Sequence, residues 1–177
     1  RGIAVFVPLT SGGDLIECHI VKVNPTHAYG RVEKILEPSS NRIEGEDCSV
    51  FGRCGGCVWR HIGYEAELNY KRQRVADALK RIGGLDILPQ PIVGADNPDA
   101  YRNKAQYPVI PGEHRLMIGF YAPRSHRVIE QHHCLLQPPL FGEIVDLISK
   151  WAKKAGISAY DESTGKGLLR HIYIRRA

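Results

Sequence analysis

Three cysteines share one short loop, Cys48-Ser-Val-Phe-Gly-Arg-Cys54-Gly-Gly-Cys57, and a fourth, Cys134, stands far downstream. Thiolates gathered in a C-x5-C-x2-C run hold a soft metal or an iron–sulfur cluster. Gly55-Gly56 lets the backbone turn back sharply there, so that successive sulfurs face one centre. If Cys134 completes the set, the fold must return the segment around residue 134 onto the loop at 48–57. Few other features of the sequence impose so long-range a condition.

Three readings of the cysteines compete. Disulfide frameworks belong to small secreted chains with dense, even cysteine counts. Five cysteines in 177 residues, with no signal-like apolar stretch at the start, argue against one here. Structural zinc usually takes two short pairs, or a pair with an H-x3-H. Three close thiols and one remote thiol are instead the habit of iron–sulfur ligation. His61, four residues after Cys57, keeps a Cys3His zinc site open, and inert cysteines are the remaining alternative. Cys18, within the apolar run Leu15-Ile-Glu-Cys-His-Ile-Val, reads as a small buried hydrophobe.

A chain of this length holds one domain or two small ones. Hydrophobic content of 43% and charged content of 24% are those of an ordinary globular protein. No apolar run is long enough to cross a bilayer and no targeting segment is visible, so the expectation is a cytoplasmic protein with no membrane partner. Net charge is +5, and it is unevenly spread. Arg102, Lys104, Arg115, Arg124 and Arg127 face one acid, Glu113, over that stretch, and Lys166, Arg170, Arg175 and Arg176 crowd the end without any. The acids collect at 44–47 and in Asp161-Glu162. Unopposed cations on strand-like segments are the footprint of phosphate contact; the plainer alternative is a set of solvated strand faces.

The first part of the chain reads as short strands at 3–8, 15–23 and 27–36, separated by turn chemistry at 11–14 and 24–26. Such a run predicts a small OB-like barrel of the kind that binds RNA. It opens in mid-pattern, which implies a strand before Arg1. Tyr64, Leu68, Val75, Leu79 and Ile82 trace a helical core stripe that Gly83-Gly84 stops. Strands follow at 101–110, 115–122 and 127–131, with a hairpin-like turn at 111–114. A second helix at 141–155 places Phe141, Ile144, Val145, Ile148, Trp151, Ala152 and Ala155 on one core face, stopped by Gly156. A last strand covers 168–175.

Cys48-x5-Cys54-Gly-Gly-Cys57-x3-His61, continued by Tyr64, Leu68, Lys71-Arg72 and Arg81-Ile-Gly-Gly-Leu85, resembles the iron–sulfur segment of the RNA (uracil-5-)-methyltransferases. Within that family it is most similar to the enzymes acting on 23S ribosomal RNA. Tyr101-Arg-Asn-Lys-Ala105, Gly119-Phe-Tyr121, Ser125-His126 and Cys134 with Gln137-Pro138 extend the likeness through the family's central domain. Phe6-Val-Pro8 and Gly13-Asp14 resemble its N-terminal TRAM barrel. The likeness covers nearly the whole chain.

The resemblance implies a 4Fe-4S cluster on Cys48, Cys54, Cys57 and Cys134. It implies methyl transfer from S-adenosylmethionine to C5 of a uridine, after a cysteine adds to C6 and before a carboxylate removes the C5 proton. Those catalytic groups and the S-adenosylmethionine site belong to a C-terminal Rossmann-like domain. The chain stops before such a domain and has no G-x-G-x-x-G turn. It reads as an inactive fragment, a monomer with RNA as its partner.

The expected fold class is α+β: a truncated OB-like (TRAM) barrel over 1–38, an iron–sulfur ligand loop over 39–62, and a central domain over 63–177 with an antiparallel sheet. Arg102, Lys104, Arg124, His126 and Arg127 are the expected RNA contacts, because arginine pairs two donors with phosphate and histidine stacks on a splayed base. Two alternatives stand beside this reading. One is a stand-alone RNA-binding module with a structural zinc or iron–sulfur site, and the other is a redox sensor.

Overall fold

A computed structural model describes every residue except Arg1, Glu46 and His114. The acidic stretch at 44–47, the turn at 111–114 and the chain's first residue therefore fall partly outside the described residues. The architecture is mixed α/β with largely antiparallel sheets, divided into two compact units: residues 1–46 with 58–94, and residues 47–57 with 95–177.

The first unit contains β1 (Ala4–Phe6), β2 (Leu15–Val23), β3 (His27–Glu37) and α1 (Tyr64–Arg81). Its sheet runs β1-β3-β2, with β1 parallel to β3 and β2 antiparallel to it. Among the described residues this sheet does not close into the expected barrel. Three strands are too few to wrap a core, and many of their apolar side chains stay exposed, among them Phe6, Val21 and Val23. Register shifts near Glu17 and Val21 coil β2. Cys18 is half-buried rather than buried, with its Sγ over Gly30, where any side chain would collide with it.

A salt bridge holds the unit's loops. Arg42 grips Asp14 through both nitrogens, Nε to Oδ1 at 2.8 Å and Nη2 to Oδ2 at 2.7 Å. The backbone N–H groups of Ser11 and Ser39 donate to the same carboxylate. The Arg42 hydrogen bond, aided by those amides, holds Asp14 far below the usual carboxylate range despite its burial. Tyr70 of α1 donates to the Gly12 carbonyl and accepts from Asn41. The sequence reading placed α1 well and its core stripe poorly. Val75 is half exposed and Ile82 almost fully so, whereas the small Ala76 is the buried residue. Its stop is as expected: Gly84 is left-handed (φ 66), and Leu85 N–H donates to the Leu79 carbonyl.

In the second unit, β4 (Lys104–Pro111), β5 (Leu116–Tyr121), β6 (Val128–Glu130) and β7 (His171–Arg175) form one antiparallel sheet in the order β6-β5-β4-β7. Helix α2 (Pro139–Lys154) packs on one face. Ala105, Tyr107 and Val109 of β4 meet Ile118 of β5, Ile172 and Ile174 of β7, and Phe141 and Val145 of α2 in the core. Trp151 is a correction. It is 55% exposed, as are Leu140 and Leu147 in comparable degree, because the helix turns its Phe141–Val145–Ala152 stripe inward. Ala155 is exposed too, and Gly156 (φ 65) ends the helix as expected.

Replacing Asp14 by Asn leaves Arg42 without its counter-charge and should destabilise the first unit by about 3 kcal/mol at pH 7. Because folding lowers the pKa of Asp14, this stabilisation is complete above the ordinary carboxylate range and fades as pH falls below about 4 toward the folded-state value. Thermal melts of the two proteins followed by circular dichroism should therefore differ at pH 7 and converge in acid.

Candidate metal centre

The four cysteines singled out from their spacing all lie in the second unit, and they line one small cavity. Two pieces of chain converge there. The loop at 48–57 is wound by short-range bonds: Phe51 N–H donates to Cys48 O, and the N–H groups of Arg53 and Cys54 donate to Val50 O. Gly52 (φ 75) supplies the left-handed residue of the loop. Gly55 and Gly56 do not adopt such a φ, so the sharp-turn role expected of them is not the one they have. Gly55 is needed for close approach instead. Its N–H donates to the Tyr121 carbonyl at the end of β5 at 2.9 Å, and an added Cβ would stand 2.9 Å from that oxygen and 3.3 Å from Pro123 N. Val50, Ala122 and Ile129 form the small core beneath, with Cys48 and Cys54 packed on it.

The other piece carries Cys134. Ala100 and Arg102 N–H donate to the carbonyls of Leu135 and Leu136, and Gln137 N–H returns to Cys134 O. Upstream, Asp146 of α2 accepts from His132 Nδ1 at 2.6 Å and His133 Nε2 at 3.0 Å, pinning the segment to the helix. The His132 bond, the larger of these influences, holds the Asp146 carboxyl below its ordinary range. Gln137 is buried, lines the cavity, and accepts a short hydrogen bond from the hydroxyl of the fully buried Tyr107.

None of the thiols is in a disulfide. Burial pushes the Cys134 thiol up; the Leu136 N–H opposes that, the neighbouring Cys54 and Cys48 add to it, and Arg102 opposes it. Four thiols on one cavity have the donor chemistry of a soft metal centre. The arrangement also bears on which kind. Among the described residues no three His, Cys, Asp or Glu side chains are placed to hold a metal ion between them. A single zinc would draw its sulfurs to about 2.3 Å, whereas a cluster of several irons is bulkier and takes its thiolates on separate irons. The donor set, all sulfur around one shared cavity, suits a soft metal or an iron–sulfur cluster rather than an oxygen-bound cation. His61, kept open as a zinc ligand, lies with its Nε2 3.2 Å from the Thr10 carbonyl.

The expected RNA contacts separate. Arg102 lines the thiol cavity, where a hydrogen bond to Tyr101 and then the Cys134 and Cys57 sulfurs favour its charge. Lys104 opens β4 and is exposed. Arg124, His126 and Arg127 sit in the exposed turn after β5, with Arg124 held at φ 53, a sparsely populated region for a side-chain-bearing residue. The His126 ring lies 5.5 Å from the Tyr121 ring, tilted by 31°. Tyr107 and Gln137 were missed as parts of the site; only the Gln137-Pro138 pair marked the place in the sequence.

No family model matches the chain. Curated relatives align along almost all of it. A Clostridium tetani protein named uncharacterized RNA methyltransferase is 42% identical over 173 residues, covering 98% of this chain and 37% of the relative. A protein of Halalkalibacterium halodurans with the same description is 39% identical over 175 residues, 98% of this chain and 38% of its own length. One from Clostridium acetobutylicum is 42% identical, again over 38% of its length. The chain thus spans well under half the length of the curated relatives it matches. Among solved structures, Pyrococcus abyssi tRNA (uracil-54, C5)-methyltransferase in complex with S-adenosyl-L-homocysteine superposes with a TM-score of 0.69 over 98% of this chain and 38% of that one, at 18% identity. At that identity the likeness is one of fold.

Replacing Gly55 by Ala puts a methyl group against the Tyr121 carbonyl and must push the cysteine loop off the end of β5. After reconstitution with iron and sulfide under argon, the variant should hold less than half the iron of the wild type, as measured by iron assay; Gly2→Ala, where an added Cβ meets nothing within 4 Å and φ is not positive, serves as the control.

Proposed function

We propose that this chain is the RNA-recognition and iron–sulfur portion of an S-adenosylmethionine-dependent RNA (uracil-C5)-methyltransferase of the cytoplasm. The observation that carries the reading is the gathering of Cys48, Cys54, Cys57 and Cys134 around one cavity, although the last is remote in sequence. Relatives named RNA methyltransferases that align along nearly the whole chain support it, as does the fold shared with a uracil-C5 methyltransferase acting on tRNA. The sequence likeness to enzymes of 23S ribosomal RNA supports rRNA as the substrate in this reading.

In this reading the four cysteines hold a 4Fe-4S cluster, which supplies a covalent staple between the loop at 48–57 and the segment at 134. The chain's own residues do the positioning. Gly55 seats the loop on β5, and Asp146 anchors the approach to Cys134. Arg102 offsets the negative charge that four thiolates bring. The turn at 122–127, with Arg124, His126 and Arg127, together with Lys104, presents cations to the RNA backbone. S-adenosylmethionine and the reacting groups belong to the part of the relatives that this chain does not match.

Anaerobically purified protein should be brown, absorb at about 400 nm, and contain iron and sulfide in equal amounts. Cys134→Ser should lose iron and melt at a lower temperature together. One zinc per chain with no sulfide would replace the cluster by a structural zinc, and an iron-free variant that melts as the wild type does would remove the staple. Deleting the gene should erase a C5-methyluridine from 23S rRNA, read by mass spectrometry of nuclease fragments; loss from tRNA instead would reassign the substrate.

A further inference from the structure

The two faces of the second unit's sheet differ in kind. Pairing of β4 with β7 sets Ala105 against Ile174 and Tyr107 against Ile172, all buried under α2. The alternate residues look the other way, and Lys104 stands opposite Arg175, Gln106 opposite Tyr173, and Pro108 opposite His171. Lys104, Gln106, Tyr173 and Arg175 are exposed, Tyr173 to 57%. Two like charges directly opposite each other, with Cβ atoms about 5 Å apart, repel and weaken a strand pair. Neither cation has an acidic partner among the described residues. The carboxylates at the rim are already engaged: Glu130 by Arg115 and Glu162 by Arg170, each at 2.8 Å. An unrelieved pair of this kind is a place for an anion from outside.

Aromatic groups continue the same face. Roughly 13 Å along the strand from Lys104, at about 3.3 Å per residue, Pro108 and His171 open a groove shared with Tyr121, His126 and Tyr160. The Arg170 guanidinium lies 5.0 Å from the centre of the Tyr160 ring. Backbone cations followed by accessible rings on a rigid sheet are what single-stranded nucleic acid requires, because only unstacked bases offer their faces to an aromatic side chain. A duplex keeps those faces to itself. A protein partner would not need the opposed cations.

We propose that the open face of this sheet is a docking platform for single-stranded RNA, with Lys104 and Arg175 holding a phosphate between them and Tyr173 stacking on a base. The inference rests on the RNA reading given above and assigns it a surface beyond the turn at 122–127. It explains why β7 alternates buried isoleucines with exposed ring and charge, and why a repulsive pair is placed at the end of a ladder.

Fluorescence anisotropy with a short, unstructured, labelled RNA and a self-complementary duplex of the same length tests it. The wild-type chain should prefer the single strand. Tyr173→Val, which keeps the strand propensity and removes the ring, should weaken binding at least about fivefold, and Tyr173→Phe should restore it. Lys104→Ala with Arg175→Ala, which removes one phosphate contact, should reduce the slope of log affinity against log salt by about 0.7, without lowering the melting temperature. If wild type binds RNA and these variants bind equally well, the platform is overturned while the wider reading stands. Wild-type protein with no affinity for either RNA overturns both.

Discussion

Four cysteines from two distant segments share one cavity, and the geometry of the second unit follows from that constraint. Burial and the neighbouring sulfurs raise the Cys134 thiol, so a metal bound there would displace its proton to solvent. The free energy of loading such a site is then part of the free energy of folding. Because the four cysteines come from two distant segments, both segments must be held by the structure around them. β5 presents the Tyr121 carbonyl that receives the loop, and α2 presents Asp146, which receives the histidines before Cys134. Arg102 brings the compensating charge from the connection ahead of β4.

What could be read in the sequence was whatever depends on local spacing. The C-x5-C-x2-C run and the left-handed glycines after both helices follow from rules a few residues long, and the glycines stand where they were expected. What could not be read depends on which surface arrives opposite. Trp151 fits the stripe of α2 by spacing, yet the helix buries Phe141, Val145 and Ala152, packs Ile144 and Ile148 against the core, and leaves Trp151 exposed. Val75 and Ile82 fail for the same reason: α1 meets its own unit through Ala76 and the hydroxyl of Tyr70. Gly55 was legible as a necessary glycine and illegible as to why, since the carbonyl it must approach lies in another strand. Arg102 looked like any unopposed cation until the fold set it beside sulfur.

The TRAM-like region shows the limit of counting strands. Three β-rich segments are present in the order expected, but a parallel β1 and an antiparallel β2 flank β3 without closing around a core. Its order comes largely from polar bonds. The Asp14–Arg42 pair and the hydroxyl of Tyr70 tie loops together where a closed barrel would use buried side chains.

Tyr107 is one link between the thiol cavity and the open sheet face. Tyr107 sits at the middle of β4, fully buried, with its ring 4.8 Å from that of Phe120 and its hydroxyl on Gln137 at the cavity wall. Its neighbours in sequence, Gln106 and Pro108, belong to the opposite face by the alternation of the strand. Gln137 in turn follows Cys134 within one hydrogen-bonded turn. Letting go of Cys134 frees that turn and removes the acceptor from a buried hydroxyl, which burial and Cys134 already hold in its neutral, donating form. Tyr107 must then shift or lose its bond, and β4 cannot move without disturbing the register that sets Lys104 against Arg175 and Gln106 against Tyr173. In the proposed reading, a staple at one end of the unit would thereby keep the exposed side chains of the other face at fixed spacing, which is the property a stacking surface needs.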